Sequence, residues 1–246
     1  MAKQYIYLIL LLFLCFSCKE KTKKINSADL LKEKEELIEP RPVIQEEEEK
    51  KPPKVTIEEI QKDSSSWVDL LYADSSFILD IRYATENNFV GEQIYECGKC
   101  LLRKEAAISL LKVHEKFKAL GYHIKLFDCY RPHPAQQKLW DKVPNASYVT
   151  PPWKGSNHNK GLAVDLTLVD KNGKALDMGT EYDYFGKEAH HDHLDLDQKI
   201  LDNRVLLKSI LKEEGFTSIR TEWWHYNYYG VNYPVSKMEW RCDGNN

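Results

Sequence analysis

Three side chains in the C-terminal half of this chain have the types and the order that a metal centre requires. His158 and Asp165 stand at the two ends of the segment HNKGLAVD, and His225 lies near the end of the chain. Imidazole nitrogens and carboxylate oxygens are common zinc ligands, and three protein ligands leave a fourth position open for water in a catalytic site. We therefore predict that these three residues bind one Zn²⁺ per chain.

Glu222 precedes His225 by three residues and is the candidate acid and base of such a site. A carboxylate beside the metal can take a proton from the attacking water and later give it to the leaving amine. The spacing does not establish this role, because residues three apart in a regular strand point to opposite faces. Glu222 must therefore either lie in a turn before the strand or be re-aimed by a bulge.

Arg131 is the candidate for stabilising negative charge in the transition state. It stands in the segment DCYRP at 128–132, and a residue before proline is held extended, so its guanidinium is expected at the end of a strand. A fixed guanidinium near the metal can stabilise a developing oxyanion. Taken singly, each of these residues has an ordinary structural role, and only their joint occurrence favours catalysis.

The strand predicted at 162–169 decides where Asp165 points. Its alternation places Asp165 on the face opposite to four apolar side chains, which are Leu162, Val164, Leu166 and Leu168. Asp165 therefore shares its face with small and polar neighbours. His158 lies before Gly161, in a loop that can fold back toward that face.

The remaining pattern predicts helices and strands that do not alternate strictly. Helices are expected at 103–120, 134–143 and 197–214, strands at 77–83, 122–129, 162–169, 216–219 and 223–229, and a loop at 144–159. Because this order departs from a regular βαβ repeat, we expect an α+β fold. Its mainly antiparallel central sheet is flanked by helices and carries the zinc site.

The composition argues against a nucleic-acid binder. Among the 246 residues, 42% are hydrophobic and 30% are charged, and the formal net charge is -3. These values are ordinary for a globular protein and give no basic footprint for phosphates. The expected partner is a small molecule or a peptide, and the sequence does not indicate the oligomeric state.

The first 66 residues predict export and a tether. Residues 1–17 combine Lys3 with an apolar run too short to span a bilayer comfortably, which is typical of a signal peptide. A small residue before Cys18 resembles a bacterial lipobox, which implies acylation of Cys18 and a lipid anchor on the periplasmic side; a plain secretory signal or an uncleaved anchor is the alternative. Residues 18–66 are charged and poor in aromatics, so a disordered tether is expected before a catalytic domain at 67–246.

Four cysteines remain after the lipobox, at Cys97, Cys100, Cys129 and Cys242. An exported compartment permits disulfides, and four cysteines allow three complete pairings. The segment CGKC at 97–100 also resembles half of a zinc knuckle or a redox pair, but no second CxxC completes a four-thiolate site. A structural disulfide or free thiols are therefore expected, and the pairing stays open.

Taken together, these motifs resemble the D-alanyl-D-alanine dipeptidases of the VanX type, within the superfamily of zinc DD-peptidases and the Hedgehog signalling domain. The matching positions are Ser156, His158, Gly161, Ala163 and Asp165, then Glu222, Trp224 and His225, with Tyr130, Arg131 and Pro132 upstream. The stretches DIRYAT at 80–85, NFVG at 88–91 and CLLRK at 100–104 are similar to the dipeptidase branch in particular. The resemblance runs from about 78 to about 228.

The resemblance implies zinc-dependent hydrolysis of D-Ala-D-Ala to free amino acids, with the metal ligands, acid/base and arginine named above. It further implies that Asp183 holds the substrate ammonium and that Tyr83 and Ser156 line the pocket. Cytoplasmic members act on free dipeptide before wall synthesis, so an exported member is expected to recover dipeptides released from the cell wall. Two alternatives remain, a DD-carboxypeptidase acting on peptidoglycan stem peptides and a zinc-stabilised binding domain without turnover.

Overall fold

A computed structural model of this protein describes residues 55–239 and 241–242. The predicted signal peptide, the lipobox at Cys18 and most of the predicted tether lie outside these residues. No helix within the described residues is long and apolar enough to cross a membrane.

The folded part of the chain begins before the predicted boundary at 67. Helix α1 (Ile57–Lys62) starts at a capping box in which Thr56 and Glu59 bond each other's backbone N–H groups. The side chain of Ile60 is buried in the core. The prediction of a disordered tether up to 66 is therefore wrong at its C-terminal end, because this short segment has both a helix start signal and an apolar anchor.

The other elements follow in chain order. They are β1 (Trp67–Asp69), α2 (Leu70–Ala73), β2 (Ile78–Leu79), β3 (Leu101–Arg103), α3 (Lys104–Ala119), β4 (Tyr122–Asp128), α4 (His133–Lys142), α5 (Asn157–Lys160), β5 (Ala163–Asp170), α6 (Gln198–Glu213), β6 (Phe216–Ser218) and β7 (His225–Tyr228). Short 3₁₀ turns occur at Arg82–Ala84 and Lys187–Ala189. The long helices α3 and α6 end close to the predicted positions.

The central sheet has five strands in the order β2-β4-β5-β7-β6, and β1 and β3 form a separate antiparallel pair. Within the central sheet only β2 and β4 run parallel. This confirms the predicted α+β fold with a mainly antiparallel sheet. The strand predicted at 77–83 is wrong beyond Leu79, because the carbonyl of Tyr83 accepts hydrogen bonds from Ile94 and Tyr95 in the following loop instead of pairing in the sheet.

The two faces of β5 separate the core from the candidate site. The apolar side chains Leu162, Val164, Leu166 and Leu168 are all buried in the hydrophobic core, as the alternation predicts. On the opposite face, Asp165 pairs directly with Asp128 of β4 and with His225 of β7. Directly opposed residues of antiparallel strands lie side by side on one face, so these three residues form a row across the sheet.

An irregularity in β4 completes this row. The pairing of β4 with β5 shifts between Leu126 and Asp128, so that one extra residue of β4 is inserted before Asp128. A bulge of this kind re-aims the following side chain. It places Asp128 opposite Asp165, where a regular ladder would have placed Phe127.

The short helix α5 positions His158 next to Asp165 and His225 of this row. Ser156 caps its start by accepting a hydrogen bond from the N–H of Asn159, and Gly161 ends it with a left-handed φ of 73°. A Cβ atom on Gly161 would lie 2.4 Å from the ring of Trp67. Gly161 is therefore required both by its backbone conformation and by the close approach of the indole.

The cysteines form two disulfides, Cys97 with Cys242 and Cys100 with Cys129. The two cysteines of the CGKC segment thus bind different partners. This pairing fits the expectation of structural disulfides and leaves no thiol pair for redox chemistry within the segment.

We expect Gly161→Ala to lower the free energy of unfolding by about 2–5 kcal/mol, because it adds a left-handed alanine and a clash with Trp67. Gly121→Ala is the matched control, since Gly121 also has a positive φ of 82° but no atom within 4 Å of its added Cβ. The control should lose only about 1–2 kcal/mol. Urea denaturation of both variants measures the difference, and equal losses would show that the packing against Trp67 is unimportant.

Candidate active site

Three ligand atoms from His158, Asp165 and His225 converge on one point of the sheet. His158 Nε2 lies 3.1 Å from His225 Nδ1 and 3.3 Å from Asp165 Oδ1, and His225 Nδ1 lies 2.9 Å from Asp165 Oδ1. All three residues are buried. Among the described residues they form the one cluster of at least three His, Cys, Asp or Glu side chains with the spacing of a metal site.

The outer nitrogen of each imidazole is committed to donating a hydrogen bond. His158 Nδ1 lies 2.7 Å from the carbonyl oxygen of Cys129, which can only accept. His225 Nε2 lies 3.0 Å from Asn227 Oδ1, an oxygen that also accepts from Asn157 Nδ2. When its ring is neutral, each inner nitrogen, His158 Nε2 and His225 Nδ1, therefore presents a lone pair to the shared point.

This arrangement fits a zinc ion. Ligand atoms at about 2.0 Å from a tetrahedral zinc are separated by about 3.3 Å, close to the spacings of this triangle. Two lone pairs and a carboxylate facing one another need a positive charge between them. The charges and hydrogen bonds of His158 and His225 lower the pKa of Asp165 although burial opposes this, so the carboxylate is anionic.

Glu222 lies beside the triangle, just before strand β7. One of its carboxylate oxygens is 3.9 Å from His225 Nδ1, and its side chain is 26% exposed. Because β7 begins at His225, the first of the two predicted alternatives is correct, and Glu222 escapes the alternation of the strand by preceding it. Burial raises the pKa of Glu222, a direction that suits the acid/base role predicted for it.

Arg131 is held rigidly by neighbouring side chains. Its Nε and Nη2 both donate to Asp128 Oδ2, at 3.0 and 2.8 Å, and its Nη1 donates to Gln136 Oε1 at 3.0 Å. Its guanidinium carbon lies 5.1 Å from the ring centre of Tyr83. Two of its five N–H groups remain free of these bonds, so a fixed cation with spare donors lies in the cavity wall.

The three residues that the resemblance assigns to the substrate pocket also reach the cavity. This cavity has a volume of about 310 Å³, and its wall includes Asp183, Tyr83 and Ser156 together with the metal triad, Glu222 and Arg131. Tyr83 donates its hydroxyl to Asp183 Oδ2 at 3.0 Å. Burial, followed by the charge of Asp165, raises the pKa of Asp183 well above its usual range.

Sequence reasoning missed the residues that orient the site. Tyr182 donates its hydroxyl to Asp165 Oδ2 at 3.0 Å, and Asp128 holds Arg131. Asn227 could have been found from the sequence, because it lies two residues after His225 and therefore on the same face of the strand. The role of Tyr182 has no sequence signal of this kind, since it depends on how a long loop folds over the sheet.

Two histidines and an aspartate whose ligand atoms converge, with a further carboxylate and a fixed arginine in the same small cavity, are the groups that a zinc-dependent hydrolase requires. The comparisons with known proteins agree. The sequence profile described as D-Ala-D-Ala dipeptidase matches residues 66–242. The chain therefore belongs to the D-Ala-D-Ala dipeptidase family, as its motifs predicted.

Relatives with this name cover most of the folded part. The D-alanyl-D-alanine dipeptidase of Escherichia coli K12 is 35% identical over 181 residues, 73% of this chain and 94% of the relative. That of Enterococcus faecalis V583 is 30% identical and covers 63% of this chain and 87% of the relative. A zinc complex of the D,D-pentapeptidase VanY aligns at 18% identity over 53% of this chain and 74% of that one, with a TM-score of 0.35, too low to support an argument.

We expect metal affinity to rise with pH. Burial opposes a charge on His225, but the hydrogen bond and the charge of Asp165 outweigh it and raise the pKa of His225 to about 9. In metal-free protein below that pH, Nδ1 carries a proton that a cation must displace. The apparent zinc affinity should therefore increase about tenfold per pH unit up to about pH 9.

Competition with a chelator of known pH dependence, at several pH values below 9, measures this slope. Lowering the pH favours the protonated imidazole and releases the metal, so the zinc affinity must fall as the pH falls. An affinity that does not change with pH would mean that His225 is neutral in the metal-free protein and would contradict the assigned network.

Proposed function

We propose that this chain is a lipid-anchored, exported zinc dipeptidase that hydrolyses D-alanyl-D-alanine and related D,D-dipeptides released during cell-wall turnover. One observation carries the activity: three ligand atoms converge within 3.3 Å of one another beside Glu222, in a cavity of about 310 Å³. That volume is at the small end of the usual range for ligand pockets, about 300–1,000 Å³. It suits a dipeptide better than a peptidoglycan stem peptide.

His158, Asp165 and His225 are the residues that would hold zinc. A zinc ion in such a site lowers the pKa of a water ligand and polarises the scissile carbonyl. The protein's contribution is to keep both imidazoles in the tautomer that binds metal. Cys129 and Asn227 do so by accepting their outer N–H groups.

Glu222 moves the proton. As a carboxylate it takes a proton from the attacking water, and as a carboxylic acid it passes that proton to the nitrogen of the leaving amino acid. Its raised pKa, caused by burial, brings these two states closer in free energy at neutral pH than they are for an exposed glutamate.

Arg131 stabilises the oxyanion that develops when the carbonyl is attacked. Its position is set before substrate arrives, because Asp128 and Gln136 fix the guanidinium plane. Little reorganisation is then needed at the moment of reaction, which is the condition under which a fixed charge lowers a barrier most.

Asp183 binds the ammonium group of the substrate. Burial and the charge of Asp165 raise the pKa of Asp183, and an ammonium ion beside this carboxylate would stabilise its charged form. Ser156 donates its hydroxyl to Asn159 Oδ1 at 3.2 Å, so its remaining capacity is to accept. Ser156 therefore suits the ammonium end of the dipeptide, and Tyr83 orients Asp183 from the cavity wall.

Export and anchoring are supported by the N-terminal sequence. A basic residue, a short apolar run and Cys18 occur in the order of a lipoprotein signal. Two disulfides in the folded part suit an oxidising compartment. An enzyme located there meets wall-derived dipeptides and not the cytoplasmic pool, which favours a role in recovering them.

A dipeptide hydrolysis panel tests the activity. We expect release of free alanine from D-Ala-D-Ala, far less from L-Ala-L-Ala and from a pentapeptide ending in D-Ala-D-Ala, and loss of activity with a chelator. Faster cleavage of the pentapeptide would instead indicate a carboxypeptidase. No cleavage of any peptide by zinc-loaded protein would indicate a binding domain.

Glu222→Gln should lower kcat by about 10²–10⁴-fold and leave zinc content unchanged, because it removes the proton carrier and no metal ligand. Glu181→Gln, at an exposed position, is the matched control and should keep full activity. Turnover of the Glu222→Gln variant within a few-fold of the parent protein would rule out the assigned role.

Cys18→Ser should move the protein from the membrane fraction to the soluble exported fraction, because acylation requires the thiol. Radiolabelled palmitate incorporation into the parent chain, absent from the variant, checks the modification directly. Equal membrane association of both chains would contradict lipid anchoring.

A further inference from the structure

The C-terminal segment from 231 to 242, here called the strap, crosses the part of the molecule that carries His158. Within its described residues the strap contains no helix or strand, so it depends on individual contacts with the rest of the chain. Cys242 ends it with a disulfide to Cys97.

The strap contacts the chain on both sides of the metal ligand. The N–H of Ser236 donates to the carbonyl of Asn159 at 2.8 Å. Upstream of His158, the side chain of Val235 packs so closely on Gly155 that a Cβ there would lie 2.3 Å from it. The strap thereby holds the backbone on both sides of His158.

Asn159 links the strap to the segment that carries Arg131 and to the start of helix α5. Its side chain is fully buried, and its Nδ2 donates to the carbonyl of Arg131 at 2.8 Å. Its Oδ1 accepts the N–H of Ser156 at 2.8 Å. One residue therefore connects the strap, the arginine segment and the start of helix α5.

A second contact reaches the arginine segment directly. The hydroxyl of Tyr130 donates to the carbonyl of Met238 at 2.5 Å. The disulfide itself joins the strap to Cys97, two residues after Tyr95, whose hydroxyl donates to Asp128 at 2.8 Å. The C-terminal part of the strap thus contacts Tyr130, the residue before Arg131, and is joined by the disulfide to the segment whose Tyr95 bonds Asp128.

We propose that the disulfide-fastened strap is a positioning element of the metal site: through Asn159 and Tyr130 it holds His158 and Arg131 in their binding geometry. This inference rests on the proposed function for its catalytic meaning. The restraint on the His158 segment is a property of the chain alone and can be measured without metal or substrate.

The double variant Cys97→Ser/Cys242→Ser tests the proposal. Zinc release into excess chelator should become about 10–100-fold faster, as is typical when groups that orient metal ligands are lost. In metal-free protein, the amide protons of Asn159, Gly161 and Leu162, all bonded within this segment, should exchange faster, while those of helix α6 should not.

Loss of thermal stability alone does not distinguish the proposal, since removing a bridge between residues 145 apart destabilises any fold. Ser236→Pro removes the donor to Asn159 with the disulfide intact. Ser236→Ala is its matched control because it loses the same hydroxyl, which accepts the N–H of Met238 at 3.0 Å, but keeps the N–H that donates to Asn159. We expect the proline variant, and not the alanine variant, to reproduce the faster exchange and zinc release. Unchanged exchange and release in the double cysteine variant would overturn the proposal, whereas failure of the dipeptide assay alone would overturn only the function.

Discussion

Two imidazole nitrogens that face the same point, 3.1 Å apart, repel each other unless a positive charge, either a proton on His225 Nδ1 or a metal ion, lies between them. The rest of the site depends on this constraint. The carboxylate of Asp165 contributes part of the compensation, and the outer hydrogen bonds to Cys129 and Asn227 prevent the rings from turning away. A bound cation therefore stabilises this arrangement. The surrounding hydrogen bonds keep the three ligands in position when the metal is absent.

The sheet accomplishes this with very few elements. Asp128, Asp165 and His225 come from three adjacent strands, so their separation is set by the strand spacing and not by loop conformation. Only His158 comes from outside the sheet, and it is the ligand that receives additional support from a helix cap, a left-handed glycine and the strap. These additional contacts therefore surround the one ligand that the hydrogen bonds of the sheet do not hold in place.

The mainly antiparallel fold and the convergence of His158, Asp165 and His225 could be predicted from the sequence because each rests on a local signal. Alternation alone placed Asp165 on the polar face of β5, and motif resemblance supplied the two histidines. The bulge before Asp128 could not be predicted, because it depends on the pairing of β4 with β5. The ordered helix at Ile57–Lys62 was missed because one buried isoleucine and a capping box outweighed a charged composition.

The charges around the cavity explain why metal and dipeptide suit the same site. Asp165, Asp183 and Glu222 contribute three carboxyl groups. The positive charge of Arg131 is largely compensated by its ion pair with Asp128. Burial and these neighbouring carboxylates raise the pKa of Asp183 and of Glu222, so the site is short of positive charge. Asp183 even adopts a left-handed φ of 59° in this position, a conformation that costs a non-glycine residue free energy. A divalent cation beside Asp165 and an ammonium ion beside Asp183 would supply the missing charge at separate points of one cavity, so a cationic metal and a substrate with a free amino group complement the same set of carboxyl groups.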